Sequence, residues 1–268
     1  MIDWGRLAAD DFPVPDSVGP ALTQLCTMLT SADPTVRDQQ AYTILSTWVR
    51  RGDLDDHLAD LGGDLTAMFG HTQVQARAFA PLVLAAVVDR DSVIGVVDPD
   101  RLRGWRDEFV AWWIAEADIR GWDERLGWLH AIAHGADLAG ALGSSPRLTG
   151  GELADLLTVV ARRMTALTDY RYAQMEEDRL ARAIVAILMR ERLDAASATG
   201  WLHVVDELFA GGGPGPLPVP VANTLAVLRA GYVMVDRHDL PHRTVVTDGM
   251  AQRLHYAFAA YPLVRKQV

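Results

Sequence analysis

Only one cysteine, Cys26, occurs in the chain, so no intramolecular disulfide can form. That usage suits a reducing compartment, and a cytoplasmic location is expected. Long hydrophobic runs are also missing. The longest, Pro81 to Val88 and Ala183 to Met189, are too short to span a bilayer and read as buried helix segments. The opening MIDWGRLAADD has no basic flank before an apolar run, so it does not read as a signal peptide. Basic residues are outnumbered, 25 against 35 acidic ones, for a net charge of −10. The arginines are scattered, so no basic patch offsets that repulsion and nucleic acid is a poor partner. No glycine-rich loop has P-loop or dinucleotide spacing, and no nucleophile motif is visible. Strand punctuation is almost absent.

Helix punctuation is frequent, and half the residues are hydrophobic, enough for a substantial core. Asp33-Pro34 and Asp98-Pro99 each place a capping carboxylate before a proline at a first helical position. Helices are expected over 17–30, 35–50, 53–69 and 73–88, with a break or kink at Gly62-Gly63 and a kink at Pro81. The next helix, from Pro99, carries Leu102, Trp105, Phe109, Trp112 and Trp113 on one stripe, and Glu116 falls on the same stripe. Five of the eight tryptophans lie between Trp105 and Trp128. They either fill the core or wall a pocket with Glu116 at its edge.

GWLHAIAHGADL, residues 127–138, is the one stretch that puts several reactive side chains on a single helical face. At about 100° per residue, His130, His134 and Asp137 fall within roughly 60°, opposite the apolar packing side. Further on, Thr149 caps a helix to Leu167. A loop over 168–174 leads to a helix opening with Glu176, Glu177 and Asp178, acids that complement the helix dipole. One helix is expected over 195–209. The Gly/Pro segment 211–220 excludes regular structure, and helices over 221–230 and 248–260 follow it. The whole, 1–268, reads as one helical domain with that segment as its weakest joint.

An offset near 38 residues between Val36 and Val74, and between Leu45 and Val83, matches a two-helix repeat. Asp33 to Asp38, DPTVRD, resembles the DPxVR segment of HEAT repeats, whose arginine often pairs with a neighbouring repeat. The expected fold is therefore all-α, a HEAT-like superhelix of stacked helix pairs. GWLHAIAHGADL, with Glu177, Asp178, Arg179, Leu180, Ala181 and Ala183 later, also resembles a family of bacterial proteins catalogued as a domain of unknown function. Its signatures are GWxHxxAHxxDL and EDxRLAxA. The resemblance covers most of 20–210 and leaves the Gly/Pro segment and the last fifty residues outside. It brings no activity, and it implies that the histidine pair and the acidic turn belong to one constellation.

Trp112, Glu116, Trp128, His130, His134, Asp137, Glu177 and Asp178 are accordingly the candidate ligand-binding residues. Helical-repeat folds most often bind proteins or peptides, and a small-molecule ligand is a further option. The expected function is an intracellular binding protein with a concave groove centred on the His130/His134/Asp137 helix. The alternative is a metal-dependent hydrolase or related enzyme. There His130, His134 and Asp137 would hold a divalent metal and Glu177 or Asp178 would supply a ligand or base. No glutamate stands beside His130 in the HExxH pattern. A network of these side chains that only fixes helix register explains the same residues. A HEAT-type DNA-repair glycosylase is argued against by the negative charge.

Overall fold

The computed structural model describes residues 2–211 and 215–258. It is mostly helical, of the all-α class. Among the described residues no helix is long and apolar enough to cross a membrane. The chain divides into two compact units, residues 1–147 and 148–268. That division falls between Arg147 and Leu148; of the Gly/Pro segment, 212–214 lie outside the described residues.

The first unit contains α1 (Trp4–Ala9), α2 (Val18–Met28), a π-helix (Thr35–Tyr42), α3 (Thr43–Arg51), α4 (Leu58–Ala67), α5 (Val74–Ile94) and α6 (Pro99–Ala115). A two-stranded antiparallel hairpin, β1 (Trp122–Asp123) and β2 (Gly127–Trp128), separates α6 from α7 (Ala131–Ser144). Asp98 caps α6 by accepting from the amides of Asp100 and Arg101. Leu102, Trp105, Phe109, Trp112 and Trp113 are all buried, as their spacing predicts.

Two local expectations need correction, the first for a steric reason. Gly62 does not break α4, which runs through it. A Cβ there would lie 2.3 Å from the Trp105 ring, so this glycine is space for an indole from α6. The helix expected over 35–50 starts as a π-helix, a wider turn with i→i+5 bonds that is uncommon and frequent at functional sites.

In the second unit α8 (Gly150–Met164) opens on a capping box of Thr149 and Glu152. There follow α9 (Glu176–Leu188), α10 (Ala195–Gly200), α11 (Leu202–Ala210), α12 (Val219–Arg237) and α13 (Arg243–Leu254). The single helix expected over 195–209 is divided at Trp201. The helix expected from 221 begins at Val219 and runs on to Arg237; the one expected over 248–260 is α13, and its last residues fall partly outside the described ones.

Candidate functional site

His130 does not lie on the face of a helix. It is the N-cap of α7, in the left-handed region at φ 55°, ψ 33°, and the residues before it form the hairpin. That conformation is uncommon for a side chain other than glycine or asparagine, costs on the order of 1–3 kcal/mol, and collects at functional sites.

The hairpin is built from the residues at its tip. Asp123 accepts from the amides of Arg125 (2.9 Å) and Leu126 (3.0 Å), which closes the turn. Those amides, together with Arg120 and Arg125, hold the Asp123 carboxyl below its usual range. Gly127 follows at φ +70°, and a Cβ on it would press on Pro34 at 3.0 Å. The pairing continues beyond the strands, with the amides of Leu129 and His130 donating to the carbonyls of Gly121 and Arg120. Arg120 grips Asp118 with Nε and Nη2 and reaches Asp123 with Nη1. Its hydrogen bonds keep the Asp118 carboxyl low against the opposing effect of burial.

This register sets Trp122 directly across from Trp128. Their rings meet edge to face at 4.7 Å, and both remain exposed, at 48% and 41%. Trp128 in turn meets His130 at 4.5 Å, His130 lies 5.5 Å from His134, and His134 meets Phe79 edge-on at 5.0 Å. A continuous row of rings therefore runs from solvent into the core.

The inner end of the row corrects a second expectation. His134 does not face away from the packing side. It is buried, and its Nδ1 lies 2.9 Å from the carbonyl of Ala78 on α5, the helix against which α7 packs. A carbonyl can only accept, so Nδ1 carries the proton, and in the neutral ring Nε2 holds the lone pair. Close approach of α7 to α6 needs Gly135, because a Cβ there would lie 2.1 Å from the Trp113 indole nitrogen. Asp137 is half-buried on the next turn of α7. Among the described residues no group of three or more His, Cys, Asp or Glu side chains is placed to hold a metal ion.

Beneath the hairpin lies Arg37, from the DPTVRD segment, with no exposed surface. Its Nη2 donates to the carbonyls of Leu126 (2.6 Å) and Trp128 (3.2 Å), Nη1 to that of Ser31 (3.2 Å), and Nε to Asp38 (2.6 Å). The guanidinium also sits 4.7 Å above the Phe79 ring. Burial pushes the Asp38 carboxyl up, and Arg37 only partly counters it.

Trp112 and Glu116 come together elsewhere in the first unit. Trp112 stacks on Phe69 at 5.0 Å beside an open depression of about 540 Å³ that Glu116, Arg77 and Glu108 also line. The aromatic wall is present, but Glu116 is committed: its carboxylate accepts from Arg77, Trp112 and the Asp118 amide.

Glu177 and Asp178 belong to the second unit, both half-buried in the first turn of α9. The residue that organises this turn is Glu176, fully buried, which accepts from the Tyr170 hydroxyl (2.9 Å) and from the amides of Ala173 (3.0 Å) and Gln174 (2.7 Å). Asn223 on α12 completes the loop, donating to the Tyr170 carbonyl and accepting from the Tyr172 amide. Burial drives the Tyr172 hydroxyl above its ordinary range, with Arg163 opposing and Glu176 and Glu177 adding to it.

Sequence reasoning passed over Arg37, Trp122, Glu176 as a buried acceptor, and Asn223. Trp122 stands within the aromatic-rich stretch, and Arg37 within a noted motif. An asparagine inside the apolar run Val221 to Leu228 is the remaining signal.

Neither the curated proteins nor the solved structures include a match to this chain. One family model does match, over residues 65–218, more than half of the chain. That span contains the hairpin, α7 and the Glu176 turn, and reaches into the Gly/Pro segment, whereas Arg37 precedes it. The chain belongs to the family of proteins of unknown function designated DUF2785.

Proposed function

We propose that this is a binding protein that takes a protein or peptide partner on the face of the first unit formed by Trp122, Trp128 and His130, with His134 behind them. The observation that carries the reading is the pair of exposed tryptophans held across a rigidly built hairpin. Tryptophan is the side chain most enriched where partners make their strongest contacts, because its large apolar surface loses little freedom on binding. Here two of them remain in water while an aspartate turn, a left-handed glycine and a buried arginine fix their backbone.

The groove centred on His130, His134 and Asp137 moves outward in this reading. Trp122, Trp128 and His130 form the contact surface, and His134 is its inner support. Packing of α5 against α3 and α4, and the helix start at Asp33-Pro34, support reading the first unit as helix pairs of the HEAT type. Action inside the cell fits a chain with a single thiol.

The test is a photo-crosslinking amino acid placed at the exposed Glu124, beside the platform, in the producing cell. A discrete adduct that disappears in W122A/W128A is expected. An adduct pattern unchanged by that double substitution sinks the reading.

A further inference from the structure

We infer that Arg37 is the positioning residue of the tryptophan platform: from beneath the hairpin its guanidinium sets where Trp128, and with it Trp122 and His130, is held. The inference rests on the reading of that platform as the binding site.

An arginine stays charged under all ordinary conditions, so a guanidinium with no exposed surface must have its N–H groups occupied. Of the four acceptors that Arg37 uses, two are the carbonyls of Leu126 and Trp128 in the hairpin. The others, Asp38 and the Ser31 carbonyl, lie within six residues of it. If the hairpin shifted while still covering the guanidinium, one arm of a buried cation would lose both its partners, which is strongly unfavourable. The hairpin's own cross-strand bonds span very few residues, and a two-stranded ribbon of that size is not stable by itself. The charge beneath supplies the missing hold. Gly127 fits the same arrangement from the other side. Its left-handed backbone lets the strand descend onto Pro34 and brings the arginine Nη2 within 3.6 Å of where a Cβ would stand.

Placement of Arg37 depends in turn on the π-helix. A π turn carries one residue more than an α turn, so rewinding 35–42 as α would rotate Arg37 by about 100° relative to α3 and aim it away from the hairpin. The same guanidinium rests on Phe79, whose ring meets His134. One side chain thereby fixes the outer tryptophans and supports the inner histidine, although its partners in the hairpin are 89 and 91 residues away.

Two indoles in edge-to-face contact produce an exciton couplet in the far-ultraviolet circular dichroism, and W122F identifies the part due to this pair. A residue that merely adds stability would lower the unfolding temperature and leave the couplet intact well below it. R37M and R37K are expected to lose the couplet while the helical signal persists, with Lys a poor rescue because an ammonium lacks the planar fork that reaches two carbonyls. A full couplet in both variants overturns the inference. So does collapse of the helical signal in both, since Arg37 would then hold the unit and not the platform. Loss of the couplet in R37K with crosslinking at position 124 unchanged would uphold Arg37 and defeat the binding reading. Crosslinking that requires the tryptophans, with the couplet kept in R37K and R37M, would do the reverse.

Discussion

Arg77 and Glu116 meet as a two-pronged pair, Nε to Oε2 at 2.6 Å and Nη2 to Oε1 at 2.9 Å, tying α5 to the end of α6. Burial would raise the Glu116 carboxyl, but the bonds from Arg77, the Asp118 amide and Trp112 outweigh it and hold the group below its ordinary range. A carboxyl lowered by folding stabilises the protein above its unfolded pKa, about 4.3, and that contribution is lost as pH falls through the folded value. E116Q is therefore expected to destabilise by about 3 kcal/mol near neutral pH, since the buried pair is broken but Arg77 keeps some contact with water. Denaturant unfolding at several pH values checks this. The gap between the two proteins should close below the ordinary carboxylate range. A gap that stays constant into acid would mean that shape, not charge, supplies the stability.

Two glycines on helices should respond to alanine with opposite signs. At Gly135 the new Cβ would stand 2.1 Å from the Trp113 indole nitrogen, which donates to the Ala131 carbonyl at 3.2 Å. Overpacking of this kind costs about 1–3 kcal/mol and exceeds the gain of about 1 kcal/mol that alanine brings to a helix. Gly63 on α4 meets nothing within 4 Å, so G63A should show that gain undiminished. Urea midpoints of the two variants decide it. Equal stabilisation in both would show that α7 can shift away from Trp113.

The same contrast explains what could be read from the chain itself. Helix starts were legible because their signals are local: Asp98 before Pro99, and Thr149 three residues before Glu152, each complete their bonds within one turn. The role of Gly62 was not, because it depends on Trp105 more than forty residues on. The hairpin escaped because strands of two residues leave no alternation to detect, and Trp128-x-His130 looks equally like the start of a helix. Of the candidate site, Trp128, His130 and His134 do share one row of rings. Helical spacing alone puts His130 and His134 on one face with Asp137, and the left-handed turn at His130 is what makes the actual arrangement different.

Cys26 should be almost unreactive in the folded protein. Burial, with Asp64 adding to it, pushes the thiol up to about 12. Since the thiolate is the nucleophile, its fraction near pH 8 should be about a thousandfold below that of an ordinary thiol. Labelling with a disulfide reagent is expected to be slow in buffer and rapid in urea. Fast native labelling would mean that the sulfur, which is only half-buried, meets enough water to ionise without unfolding.

Glu176 should govern the order of the loop between α8 and α9. Its buried carboxylate is the common acceptor for the Tyr170 hydroxyl and the Ala173 and Gln174 amides. E176A strands three donors, each costing about 1–3 kcal/mol when left buried and unmade, and the total should be smaller than the sum because the loop can relax to water. Asn223 holds the same loop from α12, through the Tyr170 carbonyl and the Tyr172 amide. N223A should loosen the loop as well, and the double variant should cost less than the two singles added together, since each removes the framework the other needs. Hydrogen exchange at the amides of 172–174, followed alongside the unfolding midpoints, separates this from general destabilisation. Protection at 173 and 174 that survives in E176A would show that the loop is held by packing and not by its buried carboxylate.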